Sequence, residues 1–237
     1  MVILGVCPLS QRVLTEQVTQ AVRRYDLGAV ARLPGSFRTF VRAPYGTYAA
    51  GDVAGLHRLH LSATGEAASR PGHATAPLAE ATGVHLYDDG SVRQETYWTP
   101  PMPRVPATVT GPLLARRLRM AVEARAFLVT ATAVATEAAI HALMRNQAAD
   151  LSGPGGRITL DPAGFNALFR PSTPRPARPR LDQARSAARR HAAGTGAATC
   201  LRLPMVDAHV LEALLATRER DIRSGRLFDQ VRQMLGL

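Results

Sequence analysis

GVHLYDDGSVRQETYW, residues 83–98, is the clearest local signal in the first half of the chain and separates a mixed α+β reading from an all-helical one. Val84–Tyr87 and Val92–Trp98 are rich in β-formers. Asp89-Gly90 between them supplies the residues of a two-residue type I′ turn, which needs positive φ at both central positions. An antiparallel hairpin is predicted. Tyr87, Tyr97 and Trp98 beside Arg93 could offer stacking faces to bases, but the same residues make an ordinary packed sheet face, and that is the preferred reading.

Toward the N-terminus, Gly35–Trp98 is frequent in glycine, proline and histidine, and its short stretches have strand-like composition, although Phe37–Arg42 alternates imperfectly. His57 and His60 would point to opposite faces of a strand, so no metal site is expected from them. Val2–Cys7 reads as a short strand or an arm that adds to another sheet. Ser10 caps a predicted helix running to about Tyr25, with Leu14, Val18, Ala21, Val22 and Tyr25 as its apolar stripe.

Toward the C-terminus, Thr99–Pro106 carries four prolines, a stiff connection to a helical part. Thr110-Gly111-Pro112 begins a helix with Leu113, Leu114, Leu118, Val122 and Phe127 at helical spacing. Its polar side sets Arg116, Arg117, Arg119 and Arg125 against Glu123, a second basic surface. Residues 126–151 are alanine-rich and charge-poor until Glu137, so this run is expected to be buried nearly all round at the centre of the core, with a break in the β-branched Val129–Thr136 segment. SGPGG at 152–156 ends it as a turn, with no Lys-Ser/Thr to make a phosphate loop. Asp161-Pro162 starts a short helix through Phe169, and Asp207 caps another to about Arg223. After Ser224-Gly225, Leu227, Phe228, Val231, Met234 and Leu235 form a terminal amphipathic helix, suited to dock on a neighbouring copy or on its own core.

Between these helices lies RPSTPRPARPRLDQARSAARR, residues 170–190, with seven arginines and Asp182 as its only acid. Pro171, Pro174, Pro176 and Pro179 predict an extended strap to Arg180. Asp182 then caps a helix over about Gln183–Ala193, on which Arg185 and Arg189 share a face with Arg190 beside them. The alternative is a solvated linker. The expected fold is therefore α+β and predominantly α-helical: a mixed part with the hairpin at residues 1–105, and at 106–237 an alanine-rich helical core bearing the Arg/Pro-rich arm.

Charge points to the partner. The 29 basic residues are all arginine against 18 acids, a formal charge of +11 that a polyanion would neutralise. A GC-rich coding bias accounts for arginine replacing lysine, but not for the excess over acids. Arginine's planar fork suits phosphate and stacks on bases. Cys7 and Cys200 form no disulfide or metal framework, and no secretory leader or membrane-spanning run is evident, so a soluble protein of a reducing compartment or a virion is expected. Without a nucleophile elbow, zinc-helix motif, Walker loop or dinucleotide fingerprint, no enzyme and no cofactor are assigned.

The Ala-, Pro- and Arg-rich composition resembles that of viral coat and nucleocapsid-type proteins, including small proline/alanine-rich proteins that associate with the RNA of some fungal viruses. The likeness covers no alignable motif and carries no residue over. It implies genome coating by repeated subunits, with RNA favoured over DNA. The candidate phosphate contacts are Arg170, Arg175, Arg178, Arg180, Arg185, Arg189 and Arg190, with Arg116, Arg117 and Arg119 on the second surface. The alternatives are a DNA-binding regulator, against which Glu212, Glu219, Asp221 and Asp229 speak, an enzyme whose site is not visible in sequence, or a scaffold for an acidic protein.

Overall fold

The computed structural model describes residues 1–7, 9–62, 64–68, 75–163, 165–169, 177–194, 201–202 and 204–237. The chain is a mixed α+β protein, about 44% helical with about 23% strand, and divides into two compact units, Met1–Thr99 and Pro100–Leu237. No helix among the described residues is long and apolar enough to cross a membrane.

The first unit is built on a five-stranded antiparallel sheet of β1 (Val2–Val6), β2 (Ser36–Ala43), β3 (Gly46–Ala50), β7 (Thr82–Leu86) and β8 (Val92–Thr96), in that spatial order. A smaller three-stranded sheet holds β4 (His60–Ser62) between β5 (Ala67–Ala68) and β6 (Thr75–Pro77). Ala49, Leu59, Leu78 and Val84 form a core cluster, with Phe40 and Leu86 packed against it. Asp52 is buried, and its carboxylate accepts hydrogen bonds from the Ser36 hydroxyl (2.7 Å) and the His57 backbone N–H (2.9 Å), which fixes the loop after β3.

The hairpin forms, but through a different turn. The Gly90 N–H donates to the Tyr87 carbonyl, the Tyr87 N–H to the Ser91 carbonyl, and only Gly90 has positive φ (83°). That is a three-residue loop closed by a left-handed glycine. A type I′ pair would need positive φ at Asp89 as well. The Asp89 carboxylate instead accepts the Ser91 N–H at 2.8 Å. Tyr97 is buried with its hydroxyl on the Gly51 carbonyl (2.7 Å), and Tyr87 stacks on His85, so these rings serve the fold.

Helix α1 (Gln11–Arg23) starts at Ser10, whose hydroxyl accepts the Val13 N–H. Only Ala21 of α1 is fully buried, and Tyr25 falls beyond the helix at φ 56°, largely exposed, which shortens the expected stripe. A short α2 (Gly28–Ala31) follows and buries Gly28, Val30 and Ala31.

In the second unit α3 (Ala107–Phe127) begins three residues earlier than the sequence suggests and takes Pro112 inside it. The run at 126–151 breaks as expected: α3 ends, Thr132 caps α4 (Ala133–Met144), and the Ala135 N–H donates to its hydroxyl. That run is not buried all round. α4 buries only Thr136, Ala139, Ile140, Leu143 and Met144, while Val134 stays exposed. The turn at 154–155 proves to be the bend of a hairpin, β9 (Ala149–Gly153) with β10 (Gly156–Leu160), which β11 (Leu201–Arg202) extends in parallel. The second unit therefore holds a sheet that the helical reading omitted.

α5 (Phe165–Phe169) and α6 (Ala177–Gly194) precede α7 (Ala208–Ala216), which Asp207 caps through the His209 N–H. The helix expected to run to Arg223 is interrupted at Thr217. There Val105 inserts as a one-residue bridge: its N–H donates to the Ala216 carbonyl, and the Arg218 N–H donates to the Val105 carbonyl. α8 (Glu219–Arg223) and α9 (Arg226–Met234) close the chain. Leu227, Phe228, Val231 and Leu235 are buried and α9 lies along α3, so the terminal helix docks on its own core.

Candidate nucleic-acid interface

Charge is divided unequally between the units. Residues 1–99 hold nine arginines against eight carboxylates, whereas residues 100–237 hold twenty against ten. Several second-unit carboxylates are engaged internally. Asp221 is buried and accepts the Ala107 N–H at 3.0 Å, Asp161 is buried and accepts the Ala163 N–H, and Asp207 is buried beside Arg125.

The second basic surface read from α3 is largely an internal ion-pair framework. Arg117 donates to the His209 carbonyl and to Glu212 (2.8 and 3.0 Å). Arg119 forms a bidentate pair with Glu137 on α4 (2.5 and 3.0 Å). That hydrogen bonding raises the Arg119 pKa and lowers the Glu137 carboxyl below its ordinary value. Arg125 is fully buried, donating to the Ala121 carbonyl and lying 3.6 Å from Asp207. Arg116 alone of the four is exposed without an ion pair among the described residues.

The arginine tract also differs from expectation where it is described. α6 starts at Ala177, ahead of Pro179. Proline is tolerated there because a helix's first N–H groups lack intrahelical partners. Asp182 therefore lies inside the helix, 3.5 Å from Arg185, and does not cap it. Leu181 and Ala184 turn inward, and they carry Arg180 and Arg185 into the interior with them. Arg180 is 1% exposed, and its three side-chain nitrogens find no hydrogen-bond partner among the described residues. Burial lowers its pKa, opposed by the charge of Glu219. Arg190 is exposed. For Arg178 and Arg189 only the helical backbone is described, and Arg170, Arg175 and the strap at 170–176 lie outside the described residues.

The structure brings together a group that the sequence reading dismissed. Around the start of α3, Arg218, Arg220 and Arg226 line a cleft of about 430 Å³ with Thr108, Asp229 and Gln230. The Arg218 Nε donates to the Arg104 carbonyl (3.0 Å), and Arg220 lies 3.9 Å from Asp221. Asp221 already caps α3, so the arginines, rather than the helix end, are what this cleft offers an anion. At the other end of α9, Arg232 lies over the Phe228 ring, 5.8 Å from its centroid, and borders a second hollow with Arg145 and Met144. In sequence the interleaved acids hid this flank, because nothing there tells that Asp221 faces inward.

Among the described residues no group of three or more His, Cys, Asp or Glu side chains could hold a metal ion. Comparison with protein-family models and with curated proteins finds no match to this chain.

Proposed function

We propose that the chain is a structural nucleic-acid-binding protein of the coat or nucleocapsid type, packaging RNA by arginine–phosphate contacts without reading sequence and assembling from copies of itself. The observation that carries this reading is the segregation of charge: the arginine excess lies almost wholly in residues 100–237, where buried caps and internal pairs also occupy several carboxylates. Outward on α8 and α9 stand Arg220, Arg226 and Arg232, with Arg223 paired to Glu219 at 3.6 Å and Asp229 as the exposed acid among them, beside two hollows that a phosphate could enter. A guanidinium fork holds phosphate bidentately and releases condensed counterions, and neither effect depends on base sequence. The arginine tract at 170–190 adds Arg190, and Arg170 and Arg175 as further contacts. Such a protein works in a virion or the cytoplasm.

The test is purification at low salt, with the ultraviolet absorbance ratio recorded before and after nuclease and the same sample viewed by negative-stain electron microscopy. Nuclease-sensitive nucleic acid inside regular particles or filaments is the expected result. A clean small species that carries none, and that binds neither RNA nor DNA when these are added, would sink the proposal.

A further inference from the structure

The outer face of α3 carries a stripe with the spacing of a coiled-coil seam. Val109, Leu113, Arg116, Met120, Glu123 and Phe127 alternate four and three residues apart. At about 100° per residue this spacing holds them within an arc of about 80°. Leu114, Leu118 and Val122 occupy the opposite face and are fully buried, so the helix's own core contact is already made. On the outer face Phe127 is 84% exposed and Val109 58%, with Leu113 and Met120 also exposed. Large apolar side chains recurring along about 27 Å of one helix face mark a surface that something covers. The terminal helix is not available as the bridge between copies, because its apolar side is buried along α3.

The two charges in the stripe select the occupant. We infer that it pairs antiparallel with the same stripe of a second copy about a twofold axis. In that arrangement Phe127 faces Val109 of the second copy, Met120 faces Arg116, and Leu113 faces Glu123. Arg116 then lies about 4.5 Å along the axis from Glu123 of the second copy, and symmetry makes the pair twice. A parallel pairing would set Arg116 against Arg116 and Glu123 against Glu123, and like charges at a seam oppose association. The antiparallel orientation also brings the two Arg116 to about 6 Å along the axis, but each then has a Glu123 nearer, whereas the parallel one offers only like charges at the same level. The inference rests on the self-association half of the proposed function and not on its nucleic-acid half.

The experiment uses the full chain, freed of nucleic acid with nuclease and high salt, in sedimentation equilibrium over a range of concentrations. Arg116→Glu and Glu123→Arg are each expected to weaken dimerisation by about tenfold, with the double exchange restoring it. Arg116 makes no ion pair within the chain among the described residues, and both positions are exposed, so melting followed by circular dichroism should show the variants folded. If the wild type self-associates but neither single change alters the dissociation constant, the inference is wrong, the assembly reading stands, and the stripe belongs to another occupant. A wild type that stays monomeric at every concentration overturns both. Dimers that respond to the charge exchange yet never bind nucleic acid support the inference and overturn the proposed function alone.

Discussion

Tyr48 sits where the first unit packs most tightly, and its hydroxyl is a cost of that packing. The residue is fully buried on β3 with its ring 4.8 Å from that of His85, and a Cβ built on Gly83 would come within 2.2 Å of its oxygen. That oxygen has no hydrogen-bond partner among the described residues, and burial pushes the phenol pKa up. Removing a buried, unsatisfied hydroxyl relieves its desolvation penalty, so Tyr48→Phe should leave stability unchanged or raise it by about 1 kcal/mol in urea unfolding. Gly83→Ala should do the opposite and lose about 1–3 kcal/mol, since the strand must move off the ring. In the second unit the critical residue is Asp207, which caps α7 and supplies a counter-charge to the fully buried Arg125. Asp207→Asn keeps a capping oxygen but removes the charge, and a loss of about 3–5 kcal/mol is expected. Arg125→Met in the same chain should recover a large part of it. A normal urea midpoint for the single variant would mean that the pair contributes little.

At the scale of elements, the sequence foretold what local chemistry dictates and missed what distant partners decide. The hairpin at 83–98, the caps at Ser10 and Asp207 and the break after Phe127 were readable, because a few neighbouring residues set each of them. β2 and β3 were not recognised as a hairpin. β2 buries Phe37, Thr39, Val41 and Ala43 on one face, but the polar Thr39 on that face and the apolar Phe40 on the other blur the alternation in sequence, and its turn is Pro44-Tyr45, not a glycine pair. The start of β9 looked like the end of a helical run because Ala148, Ala149 and Leu151 continue its apolar composition, and β10 pairs on its other side with β11, some forty residues on. The site fared likewise: Arg117, Arg119 and Arg125 look free in sequence because their partners lie far along the chain, in Glu212, Glu137 and Asp207. The Arg119–Glu137 pair joining α3 to α4 gives this a measurable sign. The Glu137 pKa is lowered in the folded chain, so its contribution is present above the ordinary value of 4.5 and is lost as pH falls through the lower folded value. Arg119→Gln should therefore flatten the acid limb of stability against pH, and leave little difference from wild type once both carboxyl states are protonated. A constant offset across the whole acid range would assign the effect to packing.

For the whole molecule the decisive feature is that the two units carry very different charge. An excess of arginine caused by coding bias alone would be spread along the chain, whereas residues 1–99 are nearly balanced and residues 100–237 are not. This asymmetry predicts where salt dependence comes from. Each phosphate neutralised contributes about 0.7 to the slope of log affinity against log salt on single strands, and about 0.9 on duplex. Changing Arg220, Arg226 and Arg232 together to glutamine should reduce the slope by about 2–3 and weaken binding alike for unrelated sequences. The matched change in the first unit, Arg23, Arg24 and Arg93 to glutamine, removes three exposed charges as well, yet should leave the slope nearly as it was. Filter binding of both variants to one labelled RNA and to an unrelated competitor, across a salt series, separates the cases. Equal loss from both sets would mean that net charge alone drives binding and that no face is used. Loss in the second unit only, without sequence preference, is what arginines gathered on α8 and α9 require.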